Sequence, residues 1–171
     1  TCSHRSCSAA VPSRPRAPAA SAASPSPGDA KSSSGRPAPG GAFESRASNL
    51  VADDKNATTD IFVHDRTTGT TVRVSVASDG TEGNGASFLA GLSGDGRFVT
   101  FSSEADNLVP DDTNGAPDVF IHDRMRGTTT RVSTTASGGQ ADNNSYDSTI
   151  ASNDRFVGFE SYATDLVPGD T

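Results

Sequence analysis

A seven-residue segment occurs twice in this chain: Asp60-Ile61-Phe62-Val63-His64-Asp65-Arg66 returns as Asp118-Val119-Phe120-Ile121-His122-Asp123-Arg124, with two conservative changes and a spacing of 58 residues. Other positions keep the same period. Phe43, Phe101 and Phe159 follow it, as do Leu50-Val51, Leu108-Val109 and Leu166-Val167, and Arg97-Phe98-Val99 recurs as Arg155-Phe156-Val157. A fixed period of this size marks a repeat architecture, in which each small unit buries its apolar faces against its neighbours. That constraint excludes most globular folds before any single residue is considered.

The segments between the repeated landmarks have the character of strands. In the first unit Phe43-Glu44-Ser45 is the earliest recognisable piece, and an opening strand comparable with Ser87–Leu92 is missing. The run Ile61-Phe62-Val63 suits a strand covered on both faces. Thr68-Gly69 makes a turn, and residues 71–75 alternate β-branched with polar side chains, as an outer strand does. The second unit contains all four strands: Ser87–Leu92, then the hairpin signal Asp95-Gly96 leading into 97–102, then Asp118–Asp123, then 128–133 after the turn at Arg126-Gly127. A third unit begins at Ser145-Tyr146 and runs through Ile150 to Phe156-Val157-Gly158-Phe159. No stretch has the i, i+3, i+4 apolar spacing of a helix. The expected fold is all-β: a partial β-propeller of four-stranded antiparallel blades, one complete and two incomplete, occupying 42–171.

Residues 1–41 form a separate region. Rich in Ser, Ala, Pro and Gly, with Val11 as the one large aliphatic side chain, they cannot offset an ordering cost of roughly 1–2 kcal/mol per residue and are expected to be disordered. Arg5, Arg14, Arg16, Lys31 and Arg36 stand there against Asp29, so the negative charge of the whole chain, −7, falls on the repeats. An acidic repeat region argues against nucleic acid and favours cations or a basic partner. The basic tail lacks aromatic residues to stack on bases and reads as a solvated linker. Cys2 and Cys7 both lie in it, leaving the repeats without a disulfide framework or a cysteine zinc site. No run approaches the ~20 apolar residues of a membrane span, and no signal peptide is visible. A propeller closes with about four to eight blades, so the chain is expected to be part of a longer parent, with strand edges open to pairing.

The residues Ser93-Gly94-Asp95-Gly96-Arg97-Phe98-Val99-Thr100-Phe101-Ser102-Ser103, Asn107-Leu108-Val109-Pro110-Asp111-Asp112-Thr113-Asn114-Gly115 and Asp118–Asp123 resemble the TolB-type, WD-like β-propeller repeats. The resemblance extends from Phe43 to the end of the chain. Where that family usually has Pro-Asp-Gly at the first hairpin, this chain has Gly94-Asp95-Gly96, and the next copy reads Ser152-Asn153-Asp154. What the resemblance implies is an exported binding scaffold, periplasmic or extracellular. It carries over no catalytic residues.

Chemistry, if present, is expected in the loop before the third strand. Asp54-Lys55-Asn56-Ala57-Thr58-Thr59-Asp60 and Asp112-Thr113-Asn114-Gly115-Ala116-Pro117-Asp118 share the form D-x-N-x-x-x-D, and Asp170-Thr171 begins a third copy. Alternate residues of a tight loop can aim carboxylate and amide oxygens at a structural calcium ion, making Asp54, Asn56, Asp60, Asp112, Asn114 and Asp118 the candidate ligands. The competing reading is that Asp and Asn make Asx-turns ahead of a strand. With so few carboxylates, any calcium site would be weak, of the order of 10⁻⁴–10⁻³ M. His64 and His122 fit a polar cluster at a strand end, with Asp65 and Arg66 or Asp123 and Arg124, better than a zinc or catalytic site. No G-x-S-x-G elbow is present. Asn56-Ala57-Thr58 and Asn143-Asn144-Ser145 match the glycosylation sequon, a pattern short enough to recur by chance. The function these features suggest is a non-enzymatic binding module with a protein or glycan partner. The alternatives are an accessory portion of a larger hydrolase and a truncated product without a function of its own.

Overall fold

The computed structural model describes residues 40–169, which lie in one compact unit. The tail up to residue 39, with both cysteines, and Asp170-Thr171 fall outside the described residues. Nine strands and no helix are found among those described: β1 (Gly40–Ser45), β2 (Asp60–Asp65), β3 (Thr70–Arg73), β4 (Ser87–Leu92), β5 (Phe98–Ser103), β6 (Asp118–Asp123), β7 (Thr128–Arg131), β8 (Ser145–Ile150) and β9 (Val157–Ser161). They form antiparallel sheets of three, four and two strands in the orders β1-β2-β3, β4-β5-β6-β7 and β8-β9. β1 takes in Gly40 and Gly41, which composition alone assigns to the tail. Strands β1 and β2 pack on β4, while β4, β5 and β6 pack on β8, so successive sheets lie face to face in chain order. This is a partial propeller with one complete blade.

The 58-residue period reappears in the packing. Phe43 faces Phe62 across β1 and β2 with ring centroids 5.7 Å apart, and Phe101 faces Phe120 across β5 and β6 at 5.9 Å. Ile61, Phe62 and Val63 are all buried, as expected of a strand covered on both sides. The core joins Ile61, Val63 and Val74 of the first unit to Val99, Phe101, Ala105, Leu108 and Phe120 of the second. Each large side chain there contributes about 1.5–3 kcal/mol of apolar burial, and none of the units could assemble that core alone.

Three local features differ from, or refine, the sequence pattern. The outer strands stop at Arg73 and Arg131 instead of continuing to Ser75 and Ser133. Val74 N–H still donates to Ile61 O at 2.8 Å, but the next ladder position is taken by a side chain: Ile61 N–H donates to Ser75 Oγ, and Val119 N–H to Ser133 Oγ, both at 3.1 Å. The hairpin of the third unit keeps its shape although Asp154 replaces Gly96. Gly96 N–H donates to Ser93 O and Asp154 N–H to Ala151 O, both at 2.9 Å, with φ of +78° and +57°. Aspartate is among the few residues that tolerate this left-handed conformation. Finally, β4 and β8 carry a bulge at one equivalent place, with Leu89 at φ +57° and Asp147 at +51°.

Candidate functional site: arginine-closed aspartate loops

Asp60 and Asp118 open β2 and β6, and Arg73 and Arg131 end the neighbouring strands β3 and β7, so the fold sets each arginine beside the loop that precedes the central strand. In the first unit Arg73 Nη1 lies 3.5 Å from Asp54 Oδ1 and 3.6 Å from Asp60 Oδ2, and Nη2 lies 2.9 Å from Glu82 Oε2. In the second, Arg131 Nη2 lies 3.2 Å from Asp112 Oδ2, Nε lies 3.3 Å from Asp118 Oδ2, and Nη1 donates to Gln140 Oε1 at 2.8 Å. The contacts of Arg131 with the two aspartates are ion pairs without hydrogen-bond alignment. Every charged partner of Arg131 is at least nine-tenths buried. Burial pushes the Asp112 and Asp118 carboxyls above the ordinary carboxylate range, against the pull of Arg131.

The asparagines are spent on the loop itself. Asn56 Oδ1 accepts from Thr58 N–H at 3.0 Å, while its Nδ2 donates to Gly83 O at 2.9 Å and Asp60 Oδ2 at 3.0 Å. Asn114 repeats this with Ala116 N–H at 3.0 Å, Ala141 O at 2.9 Å and Asp118 Oδ2 at 3.3 Å. A backbone N–H on one side and a carbonyl on the other leave the amide only one orientation. The remaining carboxylate oxygens, Asp60 Oδ1 and Asp118 Oδ1, accept from the Ser75 and Ser133 hydroxyls.

The six candidate calcium ligands are thus brought together in two groups of three, as their spacing predicts, but around a guanidinium. A hard dication needs six to eight oxygens aimed at one point. Here the asparagine presents its NH₂ group inward, a hydroxyl occupies one oxygen of Asp60 or Asp118, and arginine already supplies the positive charge, so these residues do not fit calcium. No three His, Cys, Asp or Glu side chains among the described residues converge on a point where a metal could sit. Arg73, Arg131, Ser75, Ser133 and Gln140 escape a search for acidic ligands, and Glu82 lies outside the D-x-N-x-x-x-D spacing, although each pair keeps the 58-residue period. A search for the counter-charge at that spacing would have found the arginines.

Each histidine contacts a threonine of the next strand, and Asp123 and Arg124 also act electrostatically on His122, in line with the expected polar cluster. His64 Nδ1 lies 2.9 Å from Thr71 Oγ1 and His122 Nδ1 lies 2.9 Å from Thr129 Oγ1, across the pair of outer strands. Burial lowers the His122 pKa below its ordinary 6.5. Asp123 also binds Arg97, whose Nε and Nη2 approach its two oxygens at 3.0 and 2.5 Å, holding the carboxyl far below the usual range. Asn56 of the first sequon is locked in its loop, whereas Asn143 of the second is exposed. At the opposite end of the blades, a cleft of about 570 Å³ between the first two units is lined by Gly40, Arg66, Leu92, Ser93 and Gly94.

Repeated antiparallel sheets stacked face to face, with their polar loop residues bound by arginine, define this chain as a propeller-type repeat protein. No family model and no curated protein matches its sequence. Among solved structures it is similar to TolB from Acinetobacter baumannii, with 18% identity and a TM-score of 0.36, over 66% of this chain and 25% of that one. It therefore spans about a quarter of the length of that protein. The assignment to the class rests on strand order, register and the repeated side-chain pairs. No helix among the described residues is long and apolar enough to cross a membrane.

Proposed function

We propose that this chain is a non-enzymatic interaction module of an exported protein, periplasmic or extracellular, which offers the loops and edges of its blades to a protein or glycan partner. The observation that carries this reading is the doubling of the arginine-closed loop. Residues that by type could bind metal or move protons, Asp54, Asp60, Asp112 and Asp118, are engaged with Arg73 or Arg131 in both units. Their work is to hold a loop against a strand. The TolB-type motifs in the sequence support the exported setting, and the acidic balance of the repeats supports a basic or neutral partner.

A photo-crosslinking residue placed at Asp111 or Asn153, both exposed in loops, tests the proposal in the full chain. The expected result is a discrete adduct that excess unlabelled chain competes away, with no turnover of ester, peptide or glycoside substrates. Turnover abolished by substituting any described residue would overturn it.

A further inference from the structure

The two seams between successive units are built at equivalent positions but differ in chemistry. In the first, Ala42 of β1 and Ala90 of β4 pack against the apolar core, and Glu44 reaches across so that its Oε2 accepts from Leu89 N–H at 3.2 Å. One period later Ala42, Glu44 and Ala90 are replaced by Thr100, Ser102 and Ser148. Alternate residues of a strand share a face, so Thr100 and Ser102 lie together on the side of β5 that β8 covers, while Val99 and Phe101 on the other side fill the core.

Thr100 and Ser102 are fully buried, and among the described residues the hydroxyls of Thr100, Ser102 and Ser148 have no hydrogen-bond partner. Gly91 lets the strands close around them: a Cβ there would stand 2.7 Å from Thr100 Oγ1 and 3.4 Å from Ser148 O. Leu89 and Asp147 hold the same bulge, at φ of +57° and +51°. Where the long Glu44 side chain delivers an oxygen to Leu89 N–H, however, the shorter Ser102 leaves its hydroxyl unbonded and the place of the carboxylate open beside Asp147. A buried hydroxyl without a partner carries its full desolvation cost, and native interiors rarely keep three in one place.

We propose that the seam between the second and third units is a binding site for ordered water, held by the Thr100, Ser102 and Ser148 hydroxyls and standing where the Glu44 carboxylate stands in the first seam. Hydroxyls both donate and accept and carry no charge, which is the chemistry that holds water in a protein interior rather than an ion. The first seam takes none at the equivalent place, because alanine offers nothing to bond and Glu44 satisfies Leu89 directly. The two joints of the array are therefore unlike. An apolar core drawn from both units joins the first to the second, whereas that core takes in no residue of the third unit, which bridging water ties to β5.

Relaxation dispersion of solvent ¹⁷O reports water of long residence without relay through hydroxyl protons. The full chain is compared with a variant combining Thr100→Val, Ser102→Ala and Ser148→Ala, whose amide spectrum verifies that β4 to β9 remain folded. A smaller dispersion amplitude in the variant is expected, and an equal amplitude overturns the proposal. Thr100→Val or Ser102→Ala alone takes one partner from the water and should lower the folding equilibrium constant, read in urea unfolding, by about five- to tenfold. A rise instead would mean that a dry, unbonded hydroxyl had been removed, and it overturns the proposal even if the combined variant does not fold. Loss of stability in the single variants with an unchanged amplitude in the combined one would show the hydroxyls bonding to one another, and overturns it too.

Discussion

Asp118 and Arg131, the first residue of β6 and the last of β7, are held 3.3 Å apart with almost no exposure to solvent. Such a pair adds little net stability when intact, because desolvation of both groups offsets their attraction. Breaking it is another matter. Arg131→Met strands Asp112 and Asp118 in the interior and is expected to cost about 3–5 kcal/mol in urea unfolding, a large share of the ~5–15 kcal/mol typical of a domain. Adding Asp118→Asn to that variant should recover part of the loss, and a double-mutant cycle measures the coupling.

Acid should destabilise the fold in two stages. His122 has its pKa lowered by burial, so the unfolded chain takes up the proton first: its contribution is complete above pH 6.5 and declines as pH falls below that value. Asp123 is held low chiefly by Arg97, so its contribution is complete above about pH 3.8 and is lost as pH falls further. Asp112 and Asp118 run the other way. Their raised values favour the protonated fold, and stability from them is lost as pH rises from 3.8 through the raised value. Urea midpoints measured against pH should show the upper stage flattened by His122→Gln and the lower one by Asp123→Asn.

Calcium should leave the melting temperature unchanged. A site with a dissociation constant of about 0.1–1 mM, at tenfold excess of metal, would add roughly 1.4 kcal/mol, a shift of several degrees for a unit of this size. A rise of that order on adding calcium, reversed by chelator, would show that the loops open and exchange arginine for metal.

Ala57 and Gly115 are equivalent positions with φ of +57° and +65°. The alanine holds a conformation that costs an L-residue about 1 kcal/mol or more, and the glycine holds it without strain. Ala57→Gly should therefore be neutral or stabilising, and Gly115→Ala destabilising by about 1 kcal/mol. A preference for glycine at both positions, read in thermal melts, would confirm that the two loops share a backbone path.

Much of the fold was legible because strand signals are local. The Ile61-Phe62-Val63 run, the Asp95-Gly96 turn and the 58-residue spacing each act over a few residues or repeat identically, and Ser87–Leu92 and Asp118–Asp123 are strands at the expected residues. The candidate site was legible only in half. Asp54, Asn56 and Asp60 lie within one turn of each other in sequence, but Arg73 comes from the far end of a hairpin and Glu82 from the loop beyond it. The pairing of Asp123 with Arg97 spans a different hairpin and is equally invisible to spacing.

The chain's own order of residues determined that three like units would be built from antiparallel strands, because turn residues and apolar runs dictate backbone shape from one residue to the next. Tertiary structure alone decided which charge would answer the loop aspartates. Register across β2-β3 and β6-β7 brings each guanidinium to its carboxylates, a juxtaposition of residues from different strands that no local spacing encodes.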